Sequence, residues 1–158
     1  MKTDKLTILD VANFFLKIVD RDSGSTITPL KLQKILYYAQ GWHLAMFDNE
    51  LFADDFQAWA HGPANVDIYN EYKEYGYSAI EAPKGNIPTL SKDLTDFLYS
   101  IWNTYGIFDG KYLESLTHSE KPWIDARGDC KEGESSSNII TKDSMKSFFK
   151  TKLSETKS

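Results

Sequence analysis

The sequence predicts a mainly α-helical fold, a compact single domain around one long central helix, with room for a small β element. Three observations predict it. Apolar residues recur at helical spacing in several segments, each bounded by capping residues or by Gly and Pro. The segment Thr28 to Ala45, TPLKLQKILYYAQGWHLA, is apolar on two faces rather than one. The chain has 158 residues, 41% apolar and 14% aromatic, which suits one domain with a proper core.

The first helix is expected from Ile8 to about Arg21. Thr7 and Asp10 form a capping box with Asp in place of the usual Glu. Ile8, Val11, Ala12, Phe15, Ile18 and Val19 share one face, and Asp10, Asn13, Lys17 and Asp20 the other. Asp22 to Thr26 reads as a loop. Thr28 then caps the second helix, Pro29 suits its first position, and the helix runs to near Phe47. Its broad face carries Leu32, Ile35, Leu36, Ala39, Trp42 and Met46. Its narrow face carries Leu30, Tyr37 and Leu44, spaced by sevens. A surface helix needs one apolar face, so this one lies between two layers or between its own core and a partner.

Asp48 to Glu50 makes a turn. Leu51 to Ala60 reads as a short strand or an extended segment pinned by Phe52, Phe56 and Trp59, and His61-Gly62-Pro63 breaks it. A helix restarts at Pro63 or Asn65 and carries Val66, Ile68, Tyr69, Tyr72 and Tyr75 to a stop at Gly76. Residues 77 to 90 hold Pro83, Gly85 and Pro88 and are irregular; the small β element falls here or at 51 to 60. Ser91 caps a helix with Leu94, Phe97, Leu98, Ile101, Trp102 and Tyr105 inward, ended by Gly106. Asp109 caps Gly110 to about Thr117, with Leu113 and Leu116 inward. Pro122 leads a short turn, Trp123 to Arg127. Lys131 to Asn138 is the most disorder-like stretch. Thr141 caps the last helix, with Met145, Phe148, Phe149 and Leu153 inward.

Composition excludes several classes. The net charge of -5 is a poor match for nucleic acid or an anionic membrane. Lys142, Lys146, Lys150, Lys152 and Lys157 are spread along the last helix as a solvated face. One cysteine, Cys130, allows no internal disulfide and no cysteine-based zinc site. The N-terminus lacks a signal-peptide core and no apolar run spans a membrane, so a cytoplasmic protein is expected. His118-Ser119-Glu120 matches half of a zinc-deaminase signature, but the P-C-x-x-C half is absent. His43, His61 and His118 have no metal-ligand spacing. There is no P-loop, no G-x-G-x-x-G and no G-x-S-x-G. No catalytic residue, metal or cofactor is therefore assigned.

Two clusters remain. Ala58 to Pro63 fixes a sharp turn after an aromatic run, and a buried Trp59 needs a partner for its indole N–H. In Leu116 to Trp123, Thr117 and His118 end one helix while Pro122 starts the next. An architectural corner holding two helices is the preferred reading over a functional site.

Taken together, TPLKLQKILYYAQGWHLA, LFADDFQAWAHGP, IYNEYKEYG and LTHSEKPW, in that order, resemble the SocA-like antitoxin domain, also called the Panacea domain. The resemblance covers roughly Ile8 to Phe149. It includes Leu32-Gln33-Lys34, Tyr37, Trp42, Trp59, Gly62-Pro63, Tyr69, Thr117-His118 and Pro122-Trp123. It implies one antitoxin domain over residues 1–158, with a core at about 8–149, a flexible loop at about 131–138 and a short C-terminal tail. It further implies a non-catalytic antitoxin of a bacterial or phage pair, many of them in prophages, whose partner is a cognate toxin protein from an adjacent gene. In one branch such domains act as proteolytic adaptors for a Clp-type protease, which is the alternative mode. An uncharacterised enzyme using His118 is the third reading. Some members carry an N-terminal DNA-binding module; with a helix starting inside the first ten residues, none is expected ahead of it here.

Binding through a few aromatic anchors places the candidate toxin contacts at Lys31, Lys34, Tyr37 and Tyr38 on the second helix, with Asp67 and Glu71 beyond the Gly-Pro turn. The broad face is expected in the core. Leu30 and Leu44 are expected under a second layer, with Tyr37 and its lysine neighbours nearer the surface. Gly41 would let another backbone approach.

Overall fold

The computed structural model describes residues 6–83 and 87–156. Gly85, Lys157 and the first five residues of the N-terminal segment lie outside that range. Thr7 Oγ1 accepts the Asp10 N–H at 3.2 Å and Asp10 Oδ2 accepts the Thr7 N–H at 3.0 Å, so both halves of the capping box start α1 (Ile8–Ile18). The helix stops before Arg21 because Val19 is extended and Asp20 caps a 3₁₀ turn, Arg21–Ser23.

Helix α2 (Pro29–Phe47) begins where Thr28 Oγ1 accepts the Lys31 N–H. It ends at Asp48, which is left-handed at φ 60 and pairs its carboxylate with Lys146 and Lys150 at 3.2 and 2.8 Å. All residues from 31 to 41 are buried. The helix is therefore covered on both its faces. Met46, at the end of the broad face, is 47% exposed, because the last turn of α2 runs past the buried stretch.

A three-stranded antiparallel sheet lies beside α2, in the order β2-β1-β3, from β1 (Phe56–Trp59), β2 (Gly62–Ala64) and β3 (Ile139–Ile140). Trp59 pairs with Gly62 across a tight hairpin, and Phe56 with Ile140. The small β element thus falls at residues 51–60 and not in the described part of 77–90. There the Ile80 N–H bonds to Ile27 O at 2.8 Å, and the Ile80 carbonyl accepts from Arg21. The break expected at Gly62-Pro63 is instead β2. Proline is accepted there because β2 is an edge strand. Asn65, not Pro63, caps α3 (Val66–Tyr72), accepting the Ile68 N–H at 3.0 Å.

Ser91 and Asp109 cap α4 (Lys92–Tyr105) and α5 (Gly110–His118) as their sequences require. Helix α6 (Lys121–Arg127) follows at once. Thr141 Oγ1 accepts the Ser144 N–H in the first turn of α7 (Lys142–Thr156). The main-chain fold is mainly α, with seven α-helices and one small sheet among the described residues. The 131–138 stretch is irregular and exposed. It is nonetheless tied down, because buried Arg127 donates through Nη2 to the carbonyls of Lys131 and Glu134.

Helix α7 supplies the second layer over α2. Phe149 is buried against Tyr37, Tyr38 and Trp42 with ring centroids 5.9, 5.9 and 5.1 Å away. Its ring fills the space where a side chain at Gly41 would stand. The glycine therefore admits an aromatic ring and not, as expected, a backbone. Gly41→Ala should lower stability by about 1–3 kcal/mol through overpacking. Urea unfolding checks this, and Gly41→Ala combined with Phe149→Leu should recover part of the loss.

Candidate functional site

Buried polar side chains usually find partners, and the lysines and glutamines buried on α2 find them in backbone groups. Gln33 accepts the Asn65 N–H at 2.8 Å and donates to Asn65 O at 3.0 Å. Gln40 does the same for Leu51 and Phe52, at 2.7 and 2.6 Å. Lys31 Nζ donates to Gly106 O at 2.6 Å and lies over the Trp102 ring. Lys34 Nζ donates to Pro63 O at 3.1 Å.

The bonds from Gln33 and Lys34 help seat the β1–β2 hairpin in a corner between α2, α5 and α6. Gly62 has φ +105, and a Cβ there would stand 2.7 Å from Lys34 Cε and 2.8 Å from Thr117 Oγ1. Only glycine allows both the conformation and the approach. Trp123 Nε1 donates to Trp59 O at 2.8 Å, and Arg127 Nη1 to Ala58 O at 2.9 Å. The His118 imidazole stacks on Trp123 with centroids 4.0 Å apart and planes 15° apart. Burial holds the imidazole below its usual pKa, with the Glu114 charge pulling it up.

Trp59, Gly62, Pro63, Thr117, His118, Pro122 and Trp123 are thus gathered in one corner. Trp42 is elsewhere: its indole donates to Tyr105 OH at 2.8 Å, in the layer under α7. The match to a known family covers this corner. It spans residues 32–124, and the family is described as antitoxin SocA-like, Panacea domain. The chain belongs to this family. No curated relative and no solved structure matches it.

The Panacea-domain match starts in α2 and ends in α6, so it takes in Gln33, Lys34, Trp123 and the hairpin they grip, while Arg127 lies just past its end. The surface position expected for the α2 candidates is overturned by the same geometry. Lys31, Lys34, Tyr37 and Tyr38 are all buried, because α2 is enclosed by α7, α5 and the hairpin. Tyr37 sits edge-on to Tyr38, Phe56 and Phe149. Its hydroxyl finds no hydrogen-bond partner among the described residues. Tyr38 stacks on Tyr105 at 4.1 Å and donates to Glu120 Oε1 at 2.9 Å. Asp67 and Glu71 are exposed on α3.

What the corner offers to solvent is a groove of about 220 Å³. Gln33, Lys34, Trp59, Gly62 and Tyr69 of the family pattern line it, joined by Tyr77, Lys111 and Glu114. The last three were missed by the sequence reading. Tyr77 carried a weak signal, as a large aromatic in an irregular segment just past a helix-stopping glycine. A larger cleft of about 620 Å³, beside His43 and Leu94, is lined by none of the family-pattern residues. Among the described residues, no group of three or more His, Cys, Asp or Glu could hold a metal ion, and no helix is long and apolar enough to cross a membrane.

Two buried charges flank this core. Burial lowers the Lys34 ammonium to about 7, opposed by Glu114. Burial raises the Glu120 carboxyl to about 7, opposed by the bond from Tyr38. The signs differ. Glu120 in the folded state keeps a proton that the unfolded chain loses, so its contribution falls from about pH 4.5 to 7. Lys34 in the folded state loses a proton that the unfolded chain keeps, so its contribution rises from about pH 7 to 10.5. Together they place a stability minimum near neutrality, with limbs of up to about 1.4 kcal/mol per pH unit. Urea midpoints across pH should show it. Lys34→Met should flatten the limb above pH 7, and Glu120→Gln the limb below.

Proposed function

We propose that this protein is a non-catalytic antitoxin that neutralises a cognate toxin protein, encoded by an adjacent gene, through direct protein–protein binding. Membership of the SocA-like family over residues 32–124 carries the reading. The surface at the corner supports it, since a rigid hairpin presents half-buried Trp59 beside exposed Tyr69 and Tyr77. Aromatic side chains of this kind are enriched at interface centres. Asp67 and Glu71 stay as candidate contacts at its edge.

His118 fits the architectural role. It is stacked on a tryptophan that itself bonds to the hairpin, a contact that uses the flat face of its ring. His118→Phe should therefore keep neutralisation while His118→Ala loses stability by about 1–2 kcal/mol. Growth of cells co-expressing the toxin and thermal unfolding of the variants check the two halves. Loss of neutralisation in a folded His118→Phe protein would instead point to chemistry.

Co-expression with the adjacent gene product should rescue growth and yield a complex stable to gel filtration. Rescue should be unchanged in a host lacking Clp-type proteases. If rescue disappears in that host, the protein acts as an adaptor; if purified toxin stays fully active in excess antitoxin, direct binding is wrong.

A further inference from the structure

The register of the sheet leaves one carbonyl of the hairpin to be served from outside the sheet. Phe56 and Gln57 face Ile140 and Ile139 of β3, so the next residue, Ala58, faces Asn138, just before that strand. The Ala58 N–H donates to Asn138 O at 2.8 Å, as an antiparallel pair requires. The return bond is replaced: the Asn138 N–H turns to Ser136 Oγ at 3.1 Å. Ala58 is fully buried, so its carbonyl needs another donor. Arg127 supplies it through Nη1 at 2.9 Å.

The Arg127 guanidinium is buried and keeps its charge at any ordinary pH. It uses its fork on the backbone, with Nη1 on Ala58 O and Nη2 on Lys131 O and Glu134 O at 2.8 and 2.7 Å. Its Cζ lies 4.9 Å from the centre of the Trp123 ring, whose indole donates to Trp59 O at 2.8 Å. Neighbouring carbonyls of β1 are thus held by two side chains of α6 that lie against each other. The Trp59 indole in turn donates to Gln57 Oε1 at 2.8 Å and meets Tyr69 edge to face, with ring centroids 5.3 Å apart. Ala58 stands between Gln57 and Trp59, so the strand backbone that Arg127 fixes sets the direction of both side chains. Arg127 lies past the end of the family match, so this grip is no part of the pattern that places the chain in its family.

We propose that Arg127 is a positioning residue for toxin binding: by fixing the β1 backbone at Ala58 it holds Trp59 in the one orientation that the toxin meets. The inference rests on the antitoxin reading above, with the hairpin corner as its surface. A Trp59 that had to be ordered on contact would bind more weakly, because the ordering costs free energy at the moment of association. Arg127 is buried and acts through Trp59 rather than by touching the toxin.

The test uses the full-length protein and the purified product of the adjacent gene, with affinity measured by calorimetry. Trp59→Ala should weaken binding by about 30-fold or more, and Arg127→Met by about tenfold. In the Trp59→Ala background, Arg127→Met should change affinity by less than about twofold, since the side chain it positions is gone. The free protein labelled with fluorotryptophan gives a readout that general destabilisation does not move. In Arg127→Met the fluorine resonances of Trp59 and Trp123 should shift or broaden, while those of Trp42 and Trp102, which lie against other elements, stay in place. Thermal unfolding verifies that each variant is folded at the temperature of measurement. Where Arg127→Met is not, Arg127→Lys takes its place in the same cycle, because it keeps the charge beside Trp123 and loses the fork.

A folded Arg127 variant that binds within about twofold of wild type overturns the inference, as does a Trp59 resonance that stays in place or a cycle in which the two losses simply add. If Trp59→Ala binds like wild type, the hairpin corner is not the docking surface; the inference falls and the antitoxin reading stands. If the wild-type protein does not bind the toxin at all, both fall.

Discussion

A helix enclosed on all sides must find partners for the charged and amide side chains it carries, and this requirement organises the whole molecule. Between residues 31 and 41, α2 buries two lysines and two glutamines. Each reaches a backbone group on a different segment: Gly106 after α4, Asn65 before α3, Pro63 in β2, and Leu51-Phe52 before β1. A carboxamide that both donates and accepts fixes its partner in two directions. An apolar side chain in its place would pack without specifying register. The interior polar groups therefore act as addresses that tell the irregular segments where to lie against the helix.

The hairpin shows what this precision accomplishes. It is short, contains a proline and lies at a sheet edge, and a two-strand ribbon of this size has little stability of its own. Lys34 holds it from below through Pro63 O, and Trp123 and Arg127 hold it from the side through Trp59 O and Ala58 O. The absent side chain of Gly62 lets it sit against Lys34 and Thr117. A loop gripped by so many fixed donors can present Trp59 in one place, and the groove beside it inherits that rigidity. Binding surfaces that need no ordering on contact lose less free energy to it.

This arrangement carries an internal cost. Lys34 and Glu120 are ionisable groups taken out of water, and burial moves each toward its neutral form. Tyr37 adds a hydroxyl without a partner among the described residues, and its burial pushes the phenol well above its usual pKa. The fold accepts these terms in exchange for placement, and the aromatic packing around Phe149 offsets them.

The helices were legible because their signals are local. Thr7, Thr28, Ser91, Asp109 and Thr141 each bond to a backbone N–H three residues on, and such a bond depends on nothing distant. The two apolar faces of α2 also told truly of two covering layers. The strands β2 and β3 were not legible, because three and two residues are too few to show alternation and owe their form to pairing with β1. The exposure of the candidate contacts on α2 was misread for the same kind of reason. Lysine and tyrosine look like surface residues in a sequence, and only the positions of Pro63, Gly106 and Glu120 decide that Lys34, Lys31 and Tyr38 turn inward. By itself the sequence determined the helices, the central place of α2 and the family, all written in neighbouring residues or their order. Tertiary structure alone decided which polar side chains are buried and which aromatics remain outside, because both depend on partners that come together only when the chain has folded.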